Sequence, residues 1–158
     1  MTGLFDGRAA VGLRVVVGSD DNGDDYRKIF AADLRADPRV AEVIDVVMAG
    51  GEHYPDVAYR AARLIADGRA DRALLFCGTG MGMAISANKA HRIRAVSAHD
   101  SYSVERAVLS YDAQVLCLGQ RIVGVELARR LVREWLGYTW DPQGQSVAGL
   151  AALDDYDC

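Results

Sequence analysis

Cys77-Gly78-Thr79-Gly80-Met81-Gly82 joins a thiol to a backbone built for close approach to a ligand. Glycines at alternate positions let successive N–H groups aim at one point. The apolar run Ala73–Cys77 before the loop reads as a strand, and a helical pattern follows it, so Cys77 stands beside a helix N-terminus that favours an anion. Such a setting favours the reactive thiolate. The bland reading, a buried structural cysteine before a plain turn, fits this place and these glycines less well. A dinucleotide fingerprint, G-x-G-x-x-G, is not formed, because the third glycine comes one residue early. Asp100 could mimic the ribose-binding acid of that motif, but the chain is short for two mononucleotide-binding halves.

Other polar groups fall just after apolar runs. Gly18-Ser19-Asp20-Asp21-Asn22-Gly23-Asp24-Asp25 resembles a calcium loop, yet the twelfth position from Asp20 is Ala31 rather than Glu, so the metal reading fails. Asp20 reads as a carboxylate able to exchange protons with substrate hydroxyls, and Asp24 and Asp25 as helix caps. Arg121, in Leu118-Gly119-Gln120-Arg121, could pair with a phosphate through its planar fork, or form a surface ion pair. His99 could serve as a base or as a satisfied structural histidine. His53, His91 and the arginines of the last long helix read as surface groups.

The elements that must position these residues alternate. Strands are expected at Arg14–Val17, Val43–Val47, Ala73–Cys77, Ile93–Ala98 and Val115–Leu118. Helices are expected at Asp25–Arg35, Tyr54–Asp67, Met83–Lys89, Tyr102–Tyr111 and Val123–Leu136, with a weaker one near Val147–Leu153. Residues 1–12 read as a leader and 13–158 as one domain. Five strands alternating with helices predict a single Rossmann-like, doubly wound α/β domain with a five-stranded parallel sheet flanked by helices. Such sheets bind ligands beyond the carboxyl ends of their strands, where all the candidate residues fall.

Composition narrows the function. The 158 residues are 51% hydrophobic and 25% charged, ordinary for a globular domain. A net charge of −4 without a basic stripe argues against nucleic acid. No apolar run approaches the roughly 20 residues that span a bilayer, so no membrane partner is expected. Cys77, Cys117 and Cys158 form neither a disulfide framework nor a zinc pattern, and no apolar signal core precedes the domain; a cytoplasmic protein with reduced thiols is expected.

From about Arg14 to Trp140 the chain resembles the ribose-5-phosphate isomerase B and galactose-6-phosphate isomerase subunit family. The motifs are Gly18-Ser19-Asp20, Tyr54-Pro55, the cysteine–glycine loop followed by Ala87-Asn88-Lys89, Ile93-Arg94-Ala95, and Gly119-Gln120-Arg121-Ile122-Val123-Gly124. The resemblance implies aldose–ketose isomerisation of a sugar phosphate through a cis-enediolate, without metal or other cofactor. It implies a dimer or tetramer with sites between subunits. Cys77 would move a proton between C1 and C2, the amides of Gly78, Thr79, Gly80, Met81 and Gly82 would hold the enediolate oxygen, and the Thr79 hydroxyl would assist. Asp20 would move a proton between the oxygens, and Arg121 would hold the phosphate.

Three departures from the ribose enzymes bear on substrate. Asp21 stands where they carry a histidine, and Ser110-Tyr111 where they carry the ring-opening His-Asn pair. Asp21 and Tyr111 are therefore read as substrate-binding. The segment Asp141–Ser146 lacks the family's phosphate-binding arginines. The stretch from His99 to Ala107 resembles the erythritol-catabolic branch, the erythrulose 4-phosphate isomerases. The expected reaction is D-erythrulose 4-phosphate to D-erythrose 4-phosphate, with ribose 5-phosphate isomerisation as the alternative and a non-catalytic sugar-phosphate-binding protein behind both.

Overall fold

The computed structural model describes residues 12–157. In chain order it contains β1 (Leu13–Ser19), a 3₁₀ turn (Asp21–Gly23), α1 (Asp24–Ala36), β2 (Val40–Val46), α2 (Tyr54–Ala66), β3 (Arg72–Cys77), α3 (Met81–Ala87), β4 (Ala95–Ser97), α4 (Ser101–Leu109), β5 (Val115–Gly119), α5 (Val125–Gly137) and α6 (Val147–Asp154). The five strands form one parallel sheet in the order β2-β1-β3-β5-β4. The leader expected over residues 1–12 falls almost wholly outside the described residues, as does Cys158.

The sheet is covered on both faces, which is why β3 and β5 read as unbroken apolar runs. Side chains alternate between the faces. Val15, Val17, Leu74, Phe76, Leu116 and Leu118 pack under α1, α4 and α5. Val16, Ala73, Leu75, Cys77, Val115 and Cys117 pack under α2 and α3. On the first face Phe30 stacks on Phe76 at 5.1 Å between ring centroids, and Tyr26 meets Phe76 edge-on at 5.9 Å. Burying an aromatic of this kind contributes about 1.5–3 kcal/mol. The Tyr26 hydroxyl donates to the Val123 carbonyl at 2.7 Å, so the same packing ties α1 to the segment after β5.

The chain reverses direction across the sheet between β1 and β3, whose carboxyl ends are neighbours: Ser19 pairs with Phe76, and Cys77 with Gly119. Three loops thus meet at one edge. The structure corrects several boundaries. The fourth strand is Ala95–Ser97, not Ile93–Ala98, because the chain is still turning at Arg92 (φ 59°), where Ile93 N–H returns to the Ala90 carbonyl. The third helix begins at Met81, two residues earlier than its apolar spacing suggests, because Gly80 (φ 78°) starts it. Asp24 and Asp25 do not cap α1. Gly23 holds that place, Asp24 pairs with Arg27 and Lys28, and Asp25 accepts from Gln120.

Candidate active site

The carboxyl edge gathers the loops after β1, β3 and β5. Close backbone contact explains their glycines. A β-carbon on Gly23 would lie 2.6 Å from the Phe76 carbonyl, and one on Gly119 would lie 2.7 Å from Thr79. Gly80 adopts a left-handed conformation, and a β-carbon there would stand 2.9 Å from Ser97 Oγ. Small residues therefore let the three loops interlock. Gln120 N–H donates to the Cys77 carbonyl at 2.9 Å, and Arg121 N–H to the Gly78 carbonyl at 3.0 Å.

Cys77 is buried at the end of β3, and its sulfur accepts the Gly80 N–H at 3.1 Å. A donor aimed at sulfur complements the charge of a thiolate. Met81 N–H turns to Thr79 Oγ1 at 3.4 Å. The N–H groups of Gly78 and Thr79 donate to no acceptor among the described residues. The five amides expected to act as a set therefore divide: Gly80 serves the sulfur, Met81 serves the threonine, Gly82 donates to no acceptor among the described residues at the start of α3, and Gly78 and Thr79 stay available to an oxyanion. The Met81 side chain points into solvent, 56% exposed. Gly82 lies under the Tyr54 ring, which a β-carbon there would meet at 2.9 Å.

Asp20 has two attachments. Its Oδ1 accepts from Asn22 N–H at 2.9 Å and Gly23 N–H at 3.1 Å, capping the 3₁₀ turn, so the carboxylate is fixed in place. Oδ2 takes no hydrogen bond among the described residues. A group that is both held and half free suits proton relay between fixed oxygens. Asp21 follows it, exposed, in the turn. Arg121, also exposed, lies across Gly78: its Cδ, Nη1 and Nε are 3.5–3.7 Å from where a β-carbon would stand.

His99 holds the scaffold. Its Nε2 accepts the Gly119 N–H at 2.8 Å, and burial pushes its pKa down, with Asp100 opposing. The lone pair a base would need is already used. Tyr111 lies elsewhere. Helix α4 starts after β4 with Asp100 as cap and runs back along the sheet, and the Tyr111 carbonyl accepts from Arg94 Nε at 2.7 Å, beside the start of β4. Tyr111 thus sits at the amino edge, opposite Cys77 in the same chain. Two clefts of about 260 and 320 Å³ also lie away from Cys77, one between Arg92, Arg94 and α6, the other between α1 and α5. Among the described residues no group of three or more His, Cys, Asp or Glu could hold a metal ion, and no helix is long and apolar enough to cross a membrane.

Two contributors escaped the sequence reading. Asn22 accepts from Arg121 Nη2 at 2.6 Å, and Gln120 accepts from Tyr26 N–H at 3.2 Å while donating to Asp25 at 3.3 Å. Neither carries a spacing signal, since each bond spans more than ninety residues of sequence.

A family model described as Ribose/Galactose Isomerase matches residues 15–153. The chain is 54% identical over 148 residues to D-erythrulose-4-phosphate isomerase 2 of Mycolicibacterium smegmatis, covering 92% of this chain and 97% of that protein. It is 39% identical over 120 residues to ribose-5-phosphate isomerase B of Escherichia coli, covering 73% and 80%. The solved structure of Clostridium thermocellum ribose-5-phosphate isomerase B superposes with a TM-score of 0.84 at 33% identity, covering 90% of this chain and 96% of that one.

Proposed function

This chain belongs to the ribose/galactose isomerase family, and we propose that it converts D-erythrulose 4-phosphate to D-erythrose 4-phosphate in a cytoplasmic pathway such as erythritol catabolism. The erythrulose and ribose relatives are named as sugar-phosphate isomerases. The observation that carries the chemistry is the Cys77 loop, a sulfur that receives one amide and is followed by two amides left open.

The steps follow from the geometry. The Cys77 thiolate removes a proton from C1 of the ketose, and the electron pair moves toward the C2 carbonyl oxygen to form a cis-enediolate. The Gly78 and Thr79 N–H groups stabilise the oxygen on which charge develops. Asp20 moves a proton from the O1 hydroxyl to O2, and Cys77 returns its proton to C2, leaving the aldehyde at C1. Arg121 pairs with the phosphate.

Chain length favours the tetrose. A pentose 5-phosphate has a free C4 hydroxyl that closes a furanose ring, so its isomerase benefits from a ring-opening acid and base. A tetrose 4-phosphate carries its phosphate on that oxygen and cannot close such a ring. Here Ser110 and Tyr111 occupy the ring-opening places, and the Nε2 lone pair of His99 is taken by Gly119.

We also place the site between subunits of a dimer or tetramer. Exposed Tyr54, Met81 (56%) and Ile85 (64%) flank the open loop, and Tyr111 reaches a Cys77 only from another copy. Reduced Cys77 suits the cytoplasm. The test is a panel of tetrose, pentose and hexose phosphates. kcat/KM for D-erythrulose 4-phosphate is expected to exceed that for ribose 5-phosphate by at least about tenfold, roughly 1.4 kcal/mol. Equal or better turnover of ribose 5-phosphate overturns the tetrose reading.

A further inference from the structure

Arg121 is an exposed arginine on a loop, yet its side chain spans the gap between two loops. Nη2 donates to Asn22 Oδ1 at 2.6 Å, and the stem and fork lie over Gly78. Asn22 is itself fixed, because its N–H is accepted by Asp20 Oδ1 at 2.9 Å within the capped turn after β1. A chain of contacts thus runs from the proton-relay carboxylate through Asn22 to the phosphate-holding cation. The amide occupies one of five guanidinium donors and leaves the positive charge uncompensated. A carboxylate in its place would form an ion pair and compete with the phosphate.

The tether has a consequence for substrate length. Gly78 is the residue after Cys77, so an Arg121 folded back over Gly78 places the cation against the residue next to the proposed base. A long flexible side chain would otherwise cost rotamer freedom whenever it gripped a phosphate there. The phosphate of a tetrose is one carbon nearer C2 than that of a pentose. We infer that Asn22 is a positioning residue that sets chain-length preference, by holding Arg121 at the reach of a four-carbon substrate. The inference rests on the reading of Cys77 as base and Arg121 as phosphate ligand.

The experiment compares the wild type, Asn22→Ala and Asn22→Asp with D-erythrulose 4-phosphate, ribose 5-phosphate and inorganic phosphate as inhibitor. Asn22→Ala is expected to raise KM for the tetrose about tenfold, with kcat little changed. The tetrose-to-pentose ratio of kcat/KM should fall at least about fivefold. The inhibition constant of inorganic phosphate should stay within about twofold, because an untethered anion can follow the freed arginine. Asn22→Asp keeps the acceptor. Its charge weakens both substrates alike, so the ratio should stay within about twofold of the wild type. A ratio unmoved by Asn22→Ala, or moved as far by Asn22→Asp, overturns the inference. A wild type that prefers ribose 5-phosphate overturns the tetrose reading instead. The role of Asn22 is still decided by the change in ratio between wild type and variants.

Discussion

Two arginines at opposite edges of the sheet, Arg94 and Arg121, are held in opposite ways. At the amino edge Arg14 pairs with Asp71, Arg94 with Asp112 and Asp154, and Arg72 donates to the Trp135 and Tyr138 carbonyls at the end of α5. At the carboxyl edge Arg27 pairs with Asp24 and Asp45, whereas Arg121 among the described residues hydrogen-bonds only the neutral Asn22 amide, and the nearby carboxylate of Asp20 is engaged with backbone N–H groups. Gly23, Gly78, Gly80, Gly82 and Gly119 gather at the carboxyl edge, where β-carbons on Gly23 and Gly119 would strike neighbouring backbone. The paired arginines tie strands and helices together, while Arg121 pairs with no carboxylate among the described residues. It stands beside the Cys77 sulfur loop, whose Gly78 and Thr79 amides have no acceptor among the described residues; these are the groups the proposed mechanism uses. A buried polar group left without a partner costs stability, which is the physical reason for placing the proposed mechanism at this edge.

Substitutions at the two edges should therefore separate activity from stability. The largest effect is expected from Cys77→Ser, which is nearly isosteric but supplies little anion near neutral pH. Turnover should fall by about 10²–10⁴-fold with an unchanged melting curve. Near-full turnover by the folded variant would remove the sulfur from the mechanism. Next, Arg121→Ala should raise KM for the sugar phosphate by about tenfold to a hundredfold, corresponding to about 1.5–3 kcal/mol for a charge-assisted pair, and change kcat less. An unchanged KM would move the phosphate elsewhere.

At the amino edge the readouts should reverse. Arg72 is largely buried and lies over the Trp135 ring at 5.3 Å, and burial pushes its pKa below the usual arginine range. Arg72→Met should lower the melting temperature by about 4–8 °C, as expected for a loss of about 2 kcal/mol, with kcat within about twofold. A loss of kcat without loss of stability would break the division between the edges.

The smallest effect concerns His99, and its sign follows from its depressed pKa. The unfolded chain binds a proton near pH 6.5, while the folded chain resists it because burial and the Gly119 N–H favour neutral imidazole. Stability from this group is present above that pH and is lost as pH falls toward the folded pKa. Wild-type melting temperature should drop more between pH 7 and pH 5 than that of His99→Gln. Equal slopes would mean that His99 does not titrate on unfolding.

Much of this arrangement was legible in the residue pattern, for a physical reason. A doubly covered parallel sheet demands apolar strands and puts every ligand-facing loop at one edge, so Ala73–Cys77 and Val115–Leu118 located Cys77 and Arg121 without coordinates. Edge strand β4 was overextended because Ile93 is buried in a turn rather than in the sheet, and burial alone does not distinguish the two. Tyr111 was grouped with Cys77 because the resemblance aligns residues along the chain and does not place them in space, where Tyr111 lies at the opposite edge of the sheet. The Asn22–Arg121 bond was invisible because an exposed Asn beside a turn glycine looks like any turn residue. The division of amides in the cysteine loop also required coordinates, since it depends on where Gly80 points its N–H.

The most direct test of the mechanism is proton exchange at carbon, followed by NMR in deuterated water with D-erythrulose 4-phosphate. The wild type should place solvent deuterium at C2 of the erythrose 4-phosphate it forms, and Cys77→Ser should form neither the aldose nor the deuterated sugar at a comparable rate. Deuterium incorporation and isomerisation at the wild-type rate by folded Cys77→Ser would contradict the account, because some group other than the Cys77 thiolate would then be moving the proton.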